Sequence, residues 1–427
     1  MRLGSLVMEF KTIDEVAYVK GGKRLPKGHR LTSNKTNYPY LRITDYINGY
    51  FDLKNIQYLE KSTYNEISKY LINENDIFLS IVGTIGLVAH INKDLDGANI
   101  TENAVKITIK NKENYDSRFL SYYLRSNKGQ HEIDSRTVGS TQKKLAIKRI
   151  KNILIPDLEI SIQRKISSVL YKLDKKIEIN NKIIKNLESQ AQAIFKSWFV
   201  DFEPFQDGNF VESELGLIPE GWEVGKLGKS KLGKIIGSGI DEFNDEKIYL
   251  ATADVSDTSI NNISTKVTFD DRPSRANMQP KPLSVWFAKM KDSRKLIFVD
   301  PTDKEIINKM IFSTGFAGIQ ANENSFTYLW SYLLSNDFDK IKNSYAMGTT
   351  MQAINNKNIN NILLAIPIDS ILKEFSTITK PMIEIISNLR NQNQTLAQTR
   401  DTLLPKLMSG EIDVSNIKID DEDIDYE

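Results

Sequence analysis

The sequence repeats itself at a separation of 209 residues, so whatever it folds into is built twice. YLRITD at 40–45 recurs as YLATAD at 249–254, and FLSYYLRS at 119–126 as YLWSYLLS at 328–335. VGSTQ from Val138 matches MGTTM from Met347, and LESQAQAIFKSW from Leu187 aligns with LAQTRDTLLPKL from Leu396. Each match alone is weak, but four at one separation are hard to obtain by chance. Two copies span 418 of the 427 residues, so one module is used twice. Solenoid repeats run at roughly 20–50 residues, so a separation this long means duplicated domains.

Each module reads in two parts. The leading part is mixed. Val105, Ile107 and Ile109 alternate as in a half-buried strand, as do Ile77, Leu79 and Ile81, while 116–128 has helical spacing through Phe119, Leu120, Tyr123 and Leu124. The trailing part is a heptad pattern. Positions 166, 170, 173, 177, 180, 184, 187, 191, 194 and 198 hold Ile, Leu, Leu, Ile, Asn, Ile, Leu, Ala, Ile and Trp. The second copy gives Phe375, Thr379, Met382, Ile386, Leu389, Asn393, Leu396, Arg400, Leu403 and Leu407. Steps alternating four and three form the seam of a coiled coil. The plainer alternative is an amphipathic helix lying on its own domain.

The polar seam residues select a direction. In a parallel pair at the repeat register, Asn180 faces Leu389 and Asn393 faces Ile184. In an antiparallel pair whose partners sum to 573, Asn180 meets Asn393, Trp198 meets Phe375 and Ala191 meets Met382. A mispaired buried amide costs roughly 1–3 kcal/mol, so the antiparallel register is expected, with Asn180 and Asn393 setting it. A helix of this length extends about 60 Å. The fold class is therefore α+β. Two mixed domains, 8–158 and 223–368, are expected to be held apart in opposite orientations by helices over 159–199 and 369–410. A linker over 200–222 and a tail over 411–427 complete the chain.

Composition excludes several classes. Hydrophobic residues make up 40% and charged residues 26%, a globular balance rather than a disordered one. No apolar run approaches the roughly 18–20 residues of a membrane span. MRLGSLVMEF lacks the apolar core of a signal peptide, and Met8 is a second candidate start, so a cytoplasmic location is expected. The absence of Cys removes disulfides, thiolate zinc sites, iron–sulfur clusters and cysteine nucleophiles. Three scattered histidines, His29, His90 and His131, leave little material for a metal site. The net charge of +2 hides an asymmetry: residues 411–427 carry eight acids and one base, net −7, which leaves +9 on the rest. A basic body is compatible with a polyanionic partner.

Candidate contacts to such a partner lie in loops that put short polar residues beside bases. RTVGSTQKKLAIKRIK offers Arg136, Lys143, Lys144, Lys148, Arg149 and Lys151 around Ser140, Thr141 and Gln142. The cations suit phosphates, and the Gln142 amide matches the donor–acceptor pair of adenine in the major groove. The alternative is a solvated helix start. The second copy keeps Thr349, Thr350 and Gln352 but only Lys357 of those charges. Its bases lie elsewhere, at Arg272, Arg275, Lys289, Lys291, Arg294 and Lys295. Lys23 and Arg24, with Ser80 and Thr84 of SIVGTIG, complete the DNA-binding candidates. Divergent loops on one frame imply two different half-targets. SIVGTIG is not a nucleotide loop, since no Gly-Lys-Ser/Thr follows and no GxGxxG opens a helix; its Gly83 and Gly86 shape a turn.

Catalytic patterns are thin. Asp157, Asp174 and Lys176 loosely imitate the carboxylates and lysine of a Mg²⁺-dependent nuclease. However, Asp174 and Lys176 fall within the heptads, and the second copy has no matching pair at Pro367. No Asn/Asp-Pro-Pro-aromatic methyltransferase tetrapeptide occurs, and no serine has a triad partner at hand. The chain reads as non-catalytic, with no cofactor and no metal of its own.

Taken together, these strings resemble the specificity subunit of type I restriction–modification systems over nearly the whole chain. FKSWFVDFEPF at 195–205 looks like the family's junction after its first conserved helix. ESELGLIPEGWEVGKLG at 212–228 resembles the approach to the second recognition domain, and LLPKLMSGEIDV at 403–414 the end of the second helix. GSTQKKL at 139–145 and SIVGTIG at 80–86 are similar to recognition-domain loops. The resemblance implies that each domain reads one half of a split double-stranded DNA target. The helices would then be a ruler and a docking surface for two methyltransferase subunits. Those partners would bind S-adenosylmethionine and methylate adenine, and a restriction subunit using ATP and Mg²⁺ would cut unmethylated DNA. The second module departs from GSTQKK around Gly348–Gln352, so the phosphate contacts do not carry over there residue by residue. Two other classes stay open: a coiled-coil scaffold binding only proteins, and a single-chain nuclease.

Overall fold

In the first module Ile77–Ser80 pairs antiparallel with Ala104–Ile109, placing Val105 opposite Leu79 and Ile107 opposite Ile77. These strands are the centre of a four-stranded sheet flanked by Ala17–Gly21 and Val88–His90. Ile77–Ser80 is buried at every position, because the sheet is covered on both faces. Ile77, Leu79, Val105 and Ile107 pack with Phe119, Leu120 and Tyr123 of the following helix. Phe78, Ala89 and Ala104 turn the other way, onto Leu41, Ile72 and Ile100 of a second sheet. That second sheet runs Gln57–Tyr58, Pro39–Leu41, Ala98–Ile100, Leu71–Ile72, with its central pair parallel. The structure is a computed structural model that describes residues 9–47, 49–51, 53, 56–139, 143–348 and 352–418. Met8, Ser140, Thr141, Gln142, Thr349, Thr350 and the tail from 419 lie outside the described residues.

The second module repeats both sheets in the same strand order. Gly233–Ile235, Phe316–Ala321, Ser284–Ala288 and Leu296–Val299 form one, with an added edge strand, Lys229–Ser230. Lys266–Val267, Lys247–Leu250, Met310–Ser313 and Ala276–Met278 form the other, again around a parallel pair. The helical spacing over 116–128 resolves into two helices, not one. Ser117–Arg125 is capped by Asp116, whose carboxylate accepts from the Phe119 amide at 2.6 Å. Ser126 then starts Asn127–Arg136 by accepting from the Gly129 amide at 3.2 Å. An extended serine ends one helix and caps the next. Ser335, one repeat on, does the same for the Phe338 amide.

The two heptad segments are helices of 40 residues each, Ile160–Phe199 and Asp369–Met408. None of the twenty seam positions is exposed. The second helix continues through Pro381, although proline removes one helical hydrogen bond, because buried Ile383 and Ile386 hold the following turn in the core.

The chain divides into two compact units: Met1–Ile177 with Gln394–Glu427, and Glu178–Asn393. This division differs from the expected one of two domains plus a separate spacer, because each half-helix is packed into a globular core. In the first unit Ile166, Leu170, Leu404, Leu407 and Met408 join the core beside Phe119. In the second, Ile184, Ala191, Phe195, Phe199, Phe375 and Ile386 join the core beside Tyr328 and Trp330. Within each unit the helices meet antiparallel. In the second, the Asn180 amide donates to Asn393 Oδ1 at 2.8 Å and to Gln392 Oε1 at 2.7 Å, and the Asn393 amide donates to Asn181. Trp198 also packs against Phe375, with ring centroids 5.9 Å apart and the rings tilted by 58°.

The 200–222 stretch, read as a linker, is folded. Phe210–Ser213 pairs with Gly216–Pro219, and Phe199, Phe202 and Phe205 surround Trp222 at ring distances of 5.3–5.7 Å. The acidic tail likewise starts with apolar residues, Ile412, Val414 and Ile417, that pack on the first unit's core.

Candidate nucleic-acid interface

Each module brings together two loops that are distant in sequence. In the first unit, Val138 and Lys144 exchange both backbone hydrogen bonds, at 3.0 and 2.8 Å, closing the loop that carries Gly139. Gly139 has φ +109°, a left-handed value that favours glycine. The strand leaving this loop lies against SIVGTIG: Lys144 bridges to Val82, and the Leu145 amide donates to the Ile81 carbonyl at 3.0 Å. In the second unit Met347 and Ala353 close the corresponding loop, with Gly348 at φ +123°. There the neighbour is AKMKDSRK: Ala353 bridges to Met290, the Lys291 amide donates to Gln352, and the Ile354 amide donates to Lys289. One backbone arrangement thus presents two different sets of side chains.

In the first unit Lys143, Lys144, Lys148 and Thr84 are exposed, and Lys144 stands beside SIVGTIG. Ser80 is fully buried; its hydroxyl donates to the Thr84 carbonyl at 2.6 Å and accepts from the Leu87 amide, so it shapes the turn. Arg136 pairs with Glu132 at 2.9 Å and donates to the Asn152 carbonyl, holding the end of its own helix. Lys151 pairs with Asp14. Lys23 lies over the Tyr70 ring, and Arg24 is exposed but paired with Glu102 at 2.6 Å.

The second unit sorts its candidates in the same way. Lys291, Gln352 and Lys357 are exposed. Lys289 is half-buried and its pKa is pushed down, first by burial and then by the like charge of Arg275. Neither cation is paired with an acid among the described residues. Arg272 is stacked on Phe269 at 4.1 Å. Arg294 donates to Asn336 and to the Leu334 carbonyl, and Lys295 donates to the Thr252 carbonyl at 2.6 Å, so these two brace the loop from within.

Sequence reasoning overlooked the residues that fix the loops. Lys342 is 2% exposed; its ammonium donates to the Ser293 carbonyl at 2.6 Å and pairs with Asp339 at 2.8 Å. Asn343 binds Asp292, which sits at φ +56°, through both its amide and its carbonyl oxygen. In the first unit Gln130 does comparable work, donating to the Gly86 and Leu124 carbonyls. A lysine on the apolar stripe of Phe338 and Ile341 was the available signal.

The nuclease-like carboxylates are occupied separately. Asp157 pairs with Lys11 at 2.7 Å. Asp174 pairs with Arg400 at 2.7 Å and Arg125 at 3.3 Å, and accepts from Tyr122 at 2.8 Å. Burial opposes the Arg400 charge, but Asp174 and Asp401 outweigh it and raise its pKa. Among the described residues no group of three or more acids or histidines is placed to hold a metal, and no helix is long and apolar enough to cross a membrane.

Residues 7–189 match the profile of the type I restriction modification DNA specificity domain. The chain is 28% identical over 389 residues to the type I restriction enzyme MjaIX specificity subunit of Methanocaldococcus jannaschii, covering 86% of both chains. It is 24% identical over 321 residues to the HindI specificity subunit of Haemophilus influenzae, covering 60% of this chain and 68% of that one. The S subunit of a type I restriction–modification system from M. genitalium has the same fold, with a TM-score of 0.52 at 16% identity over 95% of this chain and 98% of that one.

Proposed function

We propose that the chain is a type I restriction–modification specificity subunit, a DNA-recognition protein, and that its two modules each read one half of a bipartite double-stranded target. The observation that carries this reading is the repeated loop pair: Val82 against Lys144 in one unit and Met290 against Ala353 in the other, on one backbone pattern with different side chains. Two copies of one surface with unlike chemistry suit two unlike half-sites. Lys143, Lys144 and Lys148 in the first unit, and Arg275, Lys289 and Lys291 in the second, neutralise phosphates. Gln352, with Ser140, Thr141, Gln142, Thr349 and Thr350 outside the described residues, provides short donors for bases and backbone. Ser80, Arg136, Arg294 and Lys295 hold loops in place instead.

In this reading the chain is a cytoplasmic, non-catalytic subunit. Two methyltransferase subunits carrying S-adenosylmethionine methylate adenine, and a restriction subunit using ATP and Mg²⁺ cuts unmethylated DNA. The test is single-molecule sequencing of genomic DNA with and without the gene, scored for methylated adenines. Loss of one bipartite motif is expected. A methylation pattern that does not change, joined to DNA binding by the purified chain that does not weaken with salt, would sink the reading in favour of a protein-only scaffold.

A further inference from the structure

The contacts between the two long helices are made by unlike residues at equivalent repeat positions. We infer that this seam is a recognition code by which the first module's helix accepts the second module's helix and rejects a second copy of itself. Three separate observations point the same way.

The first is the amide layer. Asn180 is buried and bonded to Asn393 and Gln392. In the same antiparallel register, two first modules would set Asn180 against Ile184 of the other copy, and two second modules would set Asn393 against Leu389. A polar seam residue facing an apolar one penalises that pairing, as a single asparagine does in coiled coils.

The second is the ion pairs. Asp174 meets Arg400, and Glu188 meets Arg390 at 3.3 Å, the guanidinium of Arg390 lying 4.3 Å from the centre of the Phe298 ring. Like-with-like pairing would put Asp174 opposite Ala191 in the first module, and Arg400 opposite Ile383 and Arg390 opposite Ala397 in the second. Arg400 and Arg390 would each lose the carboxylate across the seam that offsets their desolvation, while Asp174 would keep only Arg125 of its two arginines.

The third is size at the helix ends. The first helix ends in Phe195, Trp198 and Phe199, which pack in the second unit around Tyr328 and Phe375. The second helix ends at the same repeat positions in Leu404, Leu407 and Met408, which pack in the first unit. Exchanging them would overfill one core and leave voids in the other. This code does not depend on what the modules bind.

The test starts from the full chain with a protease site inserted between Asp207 and Gly208, in an exposed stretch ahead of the 210–219 hairpin. The folded protein is nicked, the fragments are dissociated in denaturant and reassembled, and native mass spectrometry weighs the products. One fragment of each kind per particle is expected, with like pairs at most roughly a tenth of the statistical share. Like and unlike pairs in a 1:2:1 ratio, or fragments that no longer find one another, would overturn the inference. In the nicked Asn180→Leu/Asn393→Leu chain the like-paired fraction should rise by roughly tenfold. A fraction that stays the same would remove the amide layer from the code.

Discussion

The first unit closes its core with Leu404, Leu407 and Met408, whereas the second uses Phe195, Trp198 and Phe199 at the same three repeat positions. Around those ends the second unit gathers Phe375, Tyr328 and Trp222 into a ring cluster, while the first relies on aliphatic packing and on the Asp174–Arg400–Arg125 network. The loops of the candidate interface differ in the same spirit. SIVGTIG is a short turn tied by Ser80 and Gln130, whereas the charged loop 289–295 is clamped by Lys342, Asn343, Arg294 and Lys295. Duplicated frames keep strand order and helix register, since those satisfy every backbone group at once. They diverge where a side chain answers only to its own neighbours.

The largest expected test of this contrast is truncation at the helix ends. Phe199→Ala should destabilise the second unit by about 3–5 kcal/mol, and Met408→Ala the first by about 2–5 kcal/mol. Amide exchange should show each loss in its own unit first; equal loss of protection in both units from either change would contradict the division. Next, Arg400→Leu should cost the first unit about 3 kcal/mol, the low end for removing one member of a buried pair, because Arg125 still faces Asp174. Urea denaturation would measure it, and a neutral outcome would mean that Asp174 is already well solvated.

A third difference is acid sensitivity, since all three histidines lie in the first unit. Burial, then the Arg118 charge, pushes His90 down to about 3 from 6.5, so it is neutral when folded and bonded to Ser117 at 3.0 Å. The unfolded chain therefore binds the extra proton below pH 6.5. Stability of the first unit should fall as pH drops through that range, by up to about 1.4 kcal/mol per pH unit, and recover as pH rises above it. His90→Gln should flatten this part of the profile, and the second unit should lack it.

The smallest effect is on binding. Lys143→Ala with Lys144→Ala should weaken association with all DNA sequences alike and lower the salt slope by roughly one for each phosphate no longer neutralised. A changed target with unchanged affinity would instead make these lysines base readers.

Periodicity was informative wherever a residue's role is set by its own element. The heptads of 166–198 and 375–407 gave the two helices to within a residue or two. Asn180 and Asn393 gave their direction, because a buried amide tolerates few neighbours. Alternation at 77–81 and 105–109 gave strands but not their partners. Ser126 as a helix boundary, the folded 200–222 stretch and the docked tail were not legible, since each depends on what packs against it. Composition picked out the basic loops but could not tell Lys144, which is exposed, from Arg136, which is spent on Glu132 and Asn152.

By itself, then, the sequence determined that one module is used twice, that each ends in a long helix, and that these pair antiparallel. Repetition and heptad spacing are properties of a chain with itself. Only the tertiary structure decided which loops stand side by side, which cations stay exposed, and that the compact units cut through the helices instead of ending at them. Those outcomes depend on contacts between residues far apart in sequence, such as Ile81 with Leu145 and Ser293 with Lys342, and no local pattern encodes them.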